Sequence, residues 1–337
     1  MQARLLLCLA FLALWPVSSS AWDYERHRLI NELALGALPK DFPAFAQAAK
    51  ARILFLGGEP DRWRNNNSDR ALRHSNNPDH YFDVDDLADY GLKSSDLTQF
   101  RYEFVARLAL ERKARGRPEP KPEANPDRLD GLPGFLPWAI TENYGRLRSA
   151  FSYLKVFEEL GTEEEKTNAR ENVVYQMGLL SHFVGDASQP LHTTRHFNGW
   201  RGDNPKGYTT RPTFHRWIDG DFFKAHGAPD AAALGKALRP AQRLAVPSTR
   251  KDESGLFLAS VLYINRQFDQ VVPLYELEKS GKLSGEQAAA GRAFLEEQLG
   301  KGAQMLSDLW YDAWKGALPD RFLQAYLSER SLNPKKP

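Results

Sequence analysis

The sequence predicts an all-α fold, arranged as a single multi-helix bundle domain. Apolar side chains recur at intervals of three and four residues through most of the chain, which is the period of an amphipathic helix. The alternation of polar and apolar residues that is typical of strands is almost absent. No interruption separates two independent cores. We therefore expect one helical domain over residues 22–330, followed by a tail at 331–337.

The first 21 residues have the composition of a secretory signal peptide. Arg4 provides the charged start, residues 5–15 form an apolar run, and Ala21 ends a cleavage site of small residues. The apolar run is too short to cross a bilayer. We therefore expect a secreted or periplasmic protein whose mature chain begins at Trp22.

The charge of the chain limits how it can bind polyanions, and its cysteine content indicates how the fold is stabilised. The 337 residues include 45 Lys and Arg against 43 Asp and Glu, so the chain lacks the global positive charge of many proteins that bind nucleic acid or acidic membranes. Any polyanion must therefore bind locally. The single cysteine, Cys8, lies within the predicted signal peptide, so the exported chain has no disulfide and depends on its core.

Three potential metal ligands lie close together within residues 172–192. Two sides of this predicted helix are apolar, which is expected of a helix inside a bundle and not on its surface. His182 and Asp186 are four residues apart, so they share a face and can ligate one metal ion together. Gly178, one turn earlier, leaves room for a neighbouring element. Pro190 ends the helix, so His192 can serve a second ion.

Candidate ligands also occur in other segments. His27 lies close to the new terminus at Trp22, where a free amine and a carbonyl oxygen can chelate an ion together with the imidazole. Either Asp61 or Asp69 can ligate, and Arg64 favours Asp61 because its guanidinium can lie beside a phosphate. The remaining candidates are His80, which follows in the same polar segment, and a second pair at helical spacing, His215 and Asp219.

The rest of the chain is predicted to be scaffold. We expect residues 57–86 and 195–212 to be loops, because they are rich in Asn, Gly and Pro, and residues 116–131 to be a proline-rich surface excursion. Helices are predicted at 93–115, from about residue 135 to 160, and near 229–243, 252–280, 285–315 and 319–330.

Imidazole and carboxylate ligands without thiolate suit zinc in a hydrolytic site, and several such ligands imply several ions. A site with two metal ions can activate water and stabilise an in-line displacement at phosphorus. The sequence has no G-x-S-x-G, P-loop, H-E-x-x-H or G-x-G-x-x-G motif. Hydrolysis of a phosphate ester is therefore the activity that these residues favour.

The order of these residues resembles the zinc-dependent superfamily that contains the single-strand nucleases of the S-one/P-one type and the bacterial zinc phospholipases C. The resemblance covers Trp22 to about Asp219, and the pattern of nine ligands is far more specific than any one pair. The pattern in this chain is Trp22…His27…Asp61-x-x-Arg64…His80-Tyr81-Phe82-Asp83…His182-x-x-x-Asp186-x5-His192…His215-x-x-x-Asp219.

The resemblance implies a helical fold around a cleft with three zinc ions. Asp61, His80, His182 and Asp186 would hold the first ion, and His192, His215 and Asp219 the second. The amine and carbonyl of Trp22 would hold the third together with His27, with Asp186 bridging it to the first. Asp61 and Arg64 would be the catalytic residues, whereas Tyr81 would stack on a base and Asp83 would hydrogen-bond to it.

Two substrates remain open, single-stranded nucleic acid and phospholipid. Arg64 and the helix that includes Asn143 and Tyr144 resemble the nucleases. However, the nucleases' Gly-Gly-Asn is replaced here by residues 201–204, Arg-Gly-Asp-Asn, and Glu25 can serve a choline headgroup in a phospholipase. The expected protein is a monomeric zinc-dependent endonuclease. The alternatives are a phosphatidylcholine-specific phospholipase C and a zinc-binding module without activity.

Overall fold

Helices account for nearly all regular structure in residues 22–66, 68–118, 120–244 and 254–332, the parts of the chain that the computed structural model describes. The α-helices are α1 (Tyr24–Ala37), α2 (Ala44–Ala48), α3 (Lys50–Leu56), α4 (Glu59–Arg64), α5 (Arg70–Asn76), α6 (Arg101–Ala114), α7 (Leu136–Leu160), α8 (Glu163–Ser188), α9 (Phe214–Arg216), α10 (Phe222–His226), α11 (Ala231–Ala237), α12 (Gly255–Phe268), α13 (Val271–Lys279), α14 (Ala288–Gly316) and α15 (Arg321–Leu332).

Tighter and wider turns complete the helical structure. The 3₁₀ turns lie at Asn77–His80, Val84–Tyr90, Ser94–Asp96, Pro190–Thr193 and Gly285–Gln287, and a π-helical turn at Trp217–Asp221 joins α9 to α10. Within the described residues, β-structure is limited to one isolated bridge between Phe82 and Gly134. The predicted all-α fold is therefore confirmed.

The helix α8 runs through the middle of the bundle. It packs against α7, α14, α3 and α1, and its residues from Met177 to Ser188 are all buried. The indole of Trp310 on α14 donates a hydrogen bond to the carbonyl of Met177 (3.2 Å). Tyr175 on the same helix is 37% exposed, so the buried part of α8 becomes continuous only after that turn.

Local signals explain where α8 begins and ends. Thr162 caps its first turn by accepting from the backbone N–H of Glu165 (3.2 Å), and the Glu165 side chain accepts from the N–H of Thr162 (2.8 Å). The helix thus starts well before residue 172, where the ligand-bearing stretch begins. It ends at Ser188, just before Pro190, as predicted.

The interpretation of residues 57–86 as a loop was wrong. This segment contains α4, α5 and two 3₁₀ turns. Pro60 lies in the first turn of α4, where a missing N–H carries no penalty, and Asp69 caps α5 by accepting from the N–H of Leu72 (2.9 Å). The polar composition reflects short helices and turns, of which α5 has a side-chain cap.

Several helix boundaries also differ from the predictions. The helix predicted at 93–115 begins at Arg101, after a separate 3₁₀ turn at Ser94–Asp96. The predicted helix at 229–243 ends at Ala237, and the one at 252–280 is divided into α12 and α13. Residues 116–131 and 195–212 contain no regular helix within their described parts, as predicted.

The predicted signal peptide, residues 1–21, lies outside the described residues, and so do residues 333–337 of the predicted tail. Ser331 and Leu332, also assigned to the tail, belong to the last turn of α15. The described helices include none with the length and hydrophobicity of a bilayer-spanning segment.

Gly178 provides a test of the packing around α8. A Cβ at this position would lie 2.3 Å from the Cβ of Leu56 on α3. We expect Gly178→Ala to lower the free energy of unfolding by about 1–3 kcal/mol, because the two helices would be forced apart. Urea unfolding measures this change.

Gly145 in the middle of α7 is the matched control, because nothing lies within 4 Å of a Cβ built there. Gly145→Ala should leave stability unchanged or raise it by up to about 1 kcal/mol through helix propensity. Equal effects of the two substitutions would contradict the close packing of α3 on α8.

Candidate metal centre

Three groups of buried imidazole and carboxylate donors lie at the middle of the bundle. Each group can hold a metal ion, because one ligand atom from each member lies within 4.8 Å of the others. Among the described residues, the groups are Asp61, His80 and His182; His27, His182 and Asp186; and His192, His215 and Asp219. The first two groups share His182, and Asp61 is the one member that is only half-buried.

The first cluster consists of Asp61, His80, His182 and Asp186. His80 Nδ1 lies 2.9 Å from both His182 Nε2 and Asp186 Oδ2. Asp61 Oδ1 is 3.9 Å from His80 Nδ1 and 3.8 Å from His182 Nε2. Four lone-pair donors from α4, the 3₁₀ turn before Tyr81 and α8 thus surround one point.

The third cluster consists of His27 and Asp186, with Trp22 beside them. His27 Nε2 lies 3.2 Å from Asp186 Oδ1, so the two oxygens of Asp186 face different clusters. The Trp22 indole is fully buried and donates to Ser188 Oγ on α8 (2.9 Å), and the next backbone N–H, that of Asp23, donates to the carbonyl of Asp219 (3.2 Å). Ligation by the Trp22 amine stays a prediction.

Small residues allow His27 to reach α8. A Cβ at Gly185 would lie 2.6 Å from His27 Nδ1, so only glycine permits this approach. The rings of His27 and His182 then stack with centroids 4.2 Å apart and planes 17° apart. The sequence offered no signal for Gly185 beyond its place one residue before Asp186.

The second cluster consists of His192, His215 and Asp219. The π-helical turn after α9 brings His215 Nε2 to 3.3 Å from Asp219 Oδ2, and single π turns often occur at functional sites. The ring centroids of His192 and His215 lie 4.8 Å apart.

Hydrogen bonds outside the clusters orient the ligands. His182 Nδ1 donates to the carbonyl of Gly57 (2.7 Å) and His192 Nδ1 to the carbonyl of His80 (2.5 Å), so the Nε2 lone pair of each ring points inward. Gln189 Nε2 donates to Asp219 Oδ1 (2.8 Å). The sequence analysis missed Gln189, although its position between Asp186 and His192 was a usable signal.

Electrostatics keep most of these groups in the form that binds a cation. Burial lowers the pKa of His80 to about 3 and lowers the pKa of His192, so both imidazoles are neutral. Burial alone would raise the pKa of Asp186, but His182 and its other neighbours outweigh it and hold the pKa well below its usual range. Burial likewise opposes ionisation of Asp61, and Arg64 with His182 outweighs it and lowers the pKa.

A metal ion fits the polar atoms that the protein itself leaves unsatisfied. Among the described residues, His80 Nε2, His192 Nε2, both nitrogens of His215 and Asp219 Oδ2 are buried without a hydrogen bond. Burial raises the pKa of Asp219 well above its ordinary value. Unpaired buried polar atoms are costly, so a cation between His192, His215 and Asp219 would remove the cost at several of them together.

The second cluster opens onto a cleft of about 400 Å³. His192 and His215 form part of its wall, whereas the His27 and His182 rings lie behind them and do not line it. The cleft is also lined by charged and aromatic residues that include Arg64, Arg73, Tyr81, Asp83, Phe197 and Arg201. The sequence analysis named Arg64, Tyr81 and Asp83 for this region and assigned no role to Arg73 or Phe197.

Backbone pairing positions Tyr81 and Asp83 at the cleft. The Asp83 N–H donates to the carbonyl of Pro133 (2.6 Å), and the Tyr81 carbonyl accepts from the N–H of Leu136 (3.2 Å) at the start of α7. Burial, together with Asp86 and Asp85, raises the pKa of Asp83 well above its ordinary value. Burial therefore opposes ionisation of the Asp83 carboxyl group in the wall of the cleft.

The alternative ligand Asp69 lies elsewhere. Its side chain is exposed and caps α5, whereas Asp61 lies beside His80 and His182. Glu25, which we considered for a choline headgroup, is exposed on α1 beside Arg28 (3.9 Å) and does not line the cleft.

A scan of the chain against protein-family models and a search of curated proteins both returned no match. The possible metal sites are inferred from the geometry of this chain.

The two carboxylates at the centre should differ in how many ions they hold. We expect Asp186→Asn to lose two of three bound ions, because the two oxygens of Asp186 face different clusters, and Asp219→Asn to lose one. Elemental analysis of dialysed, metal-loaded protein measures the stoichiometry.

Asp69→Asn is the control, because that carboxylate only caps α5. It should retain the full metal content. Equal losses in the Asp186 and Asp219 variants would show that Asp186 does not bridge two ions.

Proposed function

We propose that this protein is a zinc-dependent phosphodiesterase, most specifically an endonuclease that hydrolyses single-stranded DNA or RNA after export. The proposal rests on one observation: His192 and His215 of the second cluster line a cleft that is also lined by Arg64, Tyr81 and Asp83. Metal ligands, a guanidinium and an aromatic ring thus share one substrate-sized space. The resemblance to the single-strand nucleases supports the same substrate.

Ligand spacing supports zinc as the metal. Around a tetrahedral zinc ion with ordinary bond lengths, neighbouring donor atoms lie about 3.3 Å apart. Three ligand pairs match this spacing: 3.3 Å between His182 Nε2 and Asp186 Oδ2, 3.3 Å between His215 Nε2 and Asp219 Oδ2, and 3.2 Å between His27 Nε2 and Asp186 Oδ1. The other pairs of the first cluster lie between 2.9 and 3.9 Å apart. When bound, zinc supplies Lewis acidity that activates water and neutralises phosphate oxygens.

Arg64 and Asp61 provide the protein's own contribution to the chemistry. Arg64 is only 6% exposed, and its Nε lies 2.8 Å from Asp61 Oδ1, which fixes the guanidinium at the edge of the first cluster. A guanidinium held by a carboxylate is preorganised, so it stabilises negative charge that develops on a phosphate without having to reorient. Asp61 thus both faces the first cluster and positions Arg64.

Tyr81 and Asp83 suit an unpaired base. An aromatic ring offers a stacking surface to any base, which is how single strands are bound without strong sequence preference. Burial opposes ionisation of Asp83, and the protonated form of its carboxyl group can donate one hydrogen bond and accept another along a base edge. Double-stranded nucleic acid would present neither an open base face nor an open edge to a cleft of about 400 Å³.

Phospholipase C activity is the second candidate, and one observation favours it. A groove of about 920 Å³ along α6 is lined mostly by apolar residues, including Val105, Leu108 and Leu110, and it shares Gly131 and Leu132 with the cleft. Such a groove can accept acyl chains. The position of Glu25 outside the cleft removes the residue that we had considered for the choline group, so the nuclease is preferred.

A zinc-binding module without activity is the third possibility. It would explain the buried clusters, since metal binding can stabilise a fold. It provides no reason for a buried guanidinium beside Asp61 or for a cleft that opens onto His192 and His215.

A substrate panel tests the proposal directly. We expect zinc-loaded protein to hydrolyse single-stranded DNA, RNA and 3′-nucleotides but not phosphatidylcholine, because the cleft combines cations with a base-sized aromatic site. Initial rates with and without a chelator provide the comparison. Cleavage of the lipid alone would establish the phospholipase, and no turnover would favour the binding module.

Arg64→Gln should lower kcat about 100-fold, because it removes a preorganised donor from the developing phosphate charge. Arg62→Gln is the matched control, since Arg62 lies on the same helix but is 44% exposed and paired with Glu59. Steady-state kinetics and metal content are measured together. Parallel loss of metal in the Arg64 variant would show that Arg64 supports the ligands and does not act on phosphate.

A further inference from the structure

The loop at residues 195–212 forms one wall of the cleft and is held by stacked aromatic rings. Trp200 stacks on His196 with centroids 3.9 Å apart and planes 7° apart, and it meets Tyr275 of α13 edge-on at 5.2 Å. The backbone N–H of Trp200 donates a hydrogen bond to the carbonyl of Thr209 (2.8 Å), and this bond joins the two sides of the loop. This loop is therefore a fixed part of the site, although its composition predicts only an irregular connection.

The loop at residues 195–212 places Arg201 in the wall of the cleft. The Arg201 N–H donates to His196 Nδ1 (3.0 Å), and its guanidinium carbon lies 4.7 Å from the centre of the Phe197 ring. Arg201 and Phe197 both line the cleft, together with His192 and His215 of the second cluster. A cation–π contact of this kind holds the guanidinium flat against the wall and leaves its N–H groups available to a ligand.

The pairing of the cleft arginines distinguishes Arg201 from the other two. Arg64 lies 2.8 Å from Asp61, and Arg73 lies 3.0 Å from Asp127. Within the described part of the chain, no ion pair involves Arg201. Its charge is therefore available to an anion that enters the cleft.

Three acidic residues, Asp83, Asp86 and Asp130, line the same cleft as Arg201. Asp86 is paired with Arg195 at 2.5 Å. Asp83 is buried among other acidic groups, which raises its pKa well above its ordinary value. An anionic ligand at the Arg201 guanidinium therefore meets a wall in which Asp86 is already paired and burial opposes ionisation of Asp83, with Asp130 as a further acidic residue.

We infer that Arg201 binds a phosphate adjacent to the one that is cleaved, so that the cleft selects a polynucleotide chain over esters with a single phosphate. This inference rests on the proposed nuclease function. In the proposed nuclease, the metal clusters and Arg64 serve the cleaved phosphate, so a further cation in the same cleft, Arg201, suits a substrate with a second phosphate. Single-stranded nucleic acid is the substrate class with that repeat.

Arg201→Gln tests the inference with zinc-loaded protein and two substrates, a single-stranded DNA oligonucleotide and bis(p-nitrophenyl) phosphate. We expect the ratio of kcat/KM for the oligonucleotide to that for the small diester to fall about tenfold, through KM, because one charge-assisted contact is lost. The slope of log(kcat/KM) for the oligonucleotide against log salt should become shallower by about 0.7. Arg201→Lys should restore most of this slope, because it keeps the charge.

Arg211→Gln is the matched control, since Arg211 lies on the same loop, carries the same charge and does not line the cleft. Equal effects of the two substitutions would overturn the inference, because general charge would then explain both. An Arg201→Gln variant with an unchanged ratio and slope would also overturn it while leaving the nuclease intact. Failure of the wild-type protein to cleave the oligonucleotide would instead refute the proposed function itself.

Discussion

The constraint on which the rest of the structure depends is the burial of the Asp186 carboxylate in the middle of α8. An ionised carboxylate inside a protein is costly unless it is paired on all sides. His27 approaches one of its oxygens, and His80 and His182 approach the other. Elements that are far apart in sequence therefore have to meet at one turn of one helix.

Small residues and backbone hydrogen bonds make that meeting possible. Glycines on α8 let α1 and α3 approach the helix closely, and His80 and His192 are joined because the Phe82 N–H donates to the His192 carbonyl (2.9 Å) while the His192 ring donates to the His80 carbonyl. The scaffold thus positions these side chains through its own packing and hydrogen bonds.

One side of the candidate metal centre is buried in the bundle, and the other side faces the cleft. His27 and His182 lie within the bundle, whereas His192 and His215 reach the cleft wall. A buried ion can support the fold and tune its neighbours, and an ion at the wall can meet substrate. Arg64, Arg73, Arg201 and Tyr81 line the cleft, so the groups suited to a phosphate and a base lie where a ligand can enter.

The sequence by itself determined the helical fold, the central position of α8 and which imidazole and carboxylate residues are candidate metal ligands. Those features follow from local patterns: period, capping, the proline after Ser188 and the four-residue spacing of His182–Asp186 and His215–Asp219. Only the tertiary structure placed Asp61, and not Asp69, beside His80 and His182, divided residues 57–86 into short helices and turns, and revealed Gly185, Gln189 and the loop that carries Arg201. These depend on contacts between segments distant in sequence, and a local pattern contains no information about which side chain a distant backbone will approach.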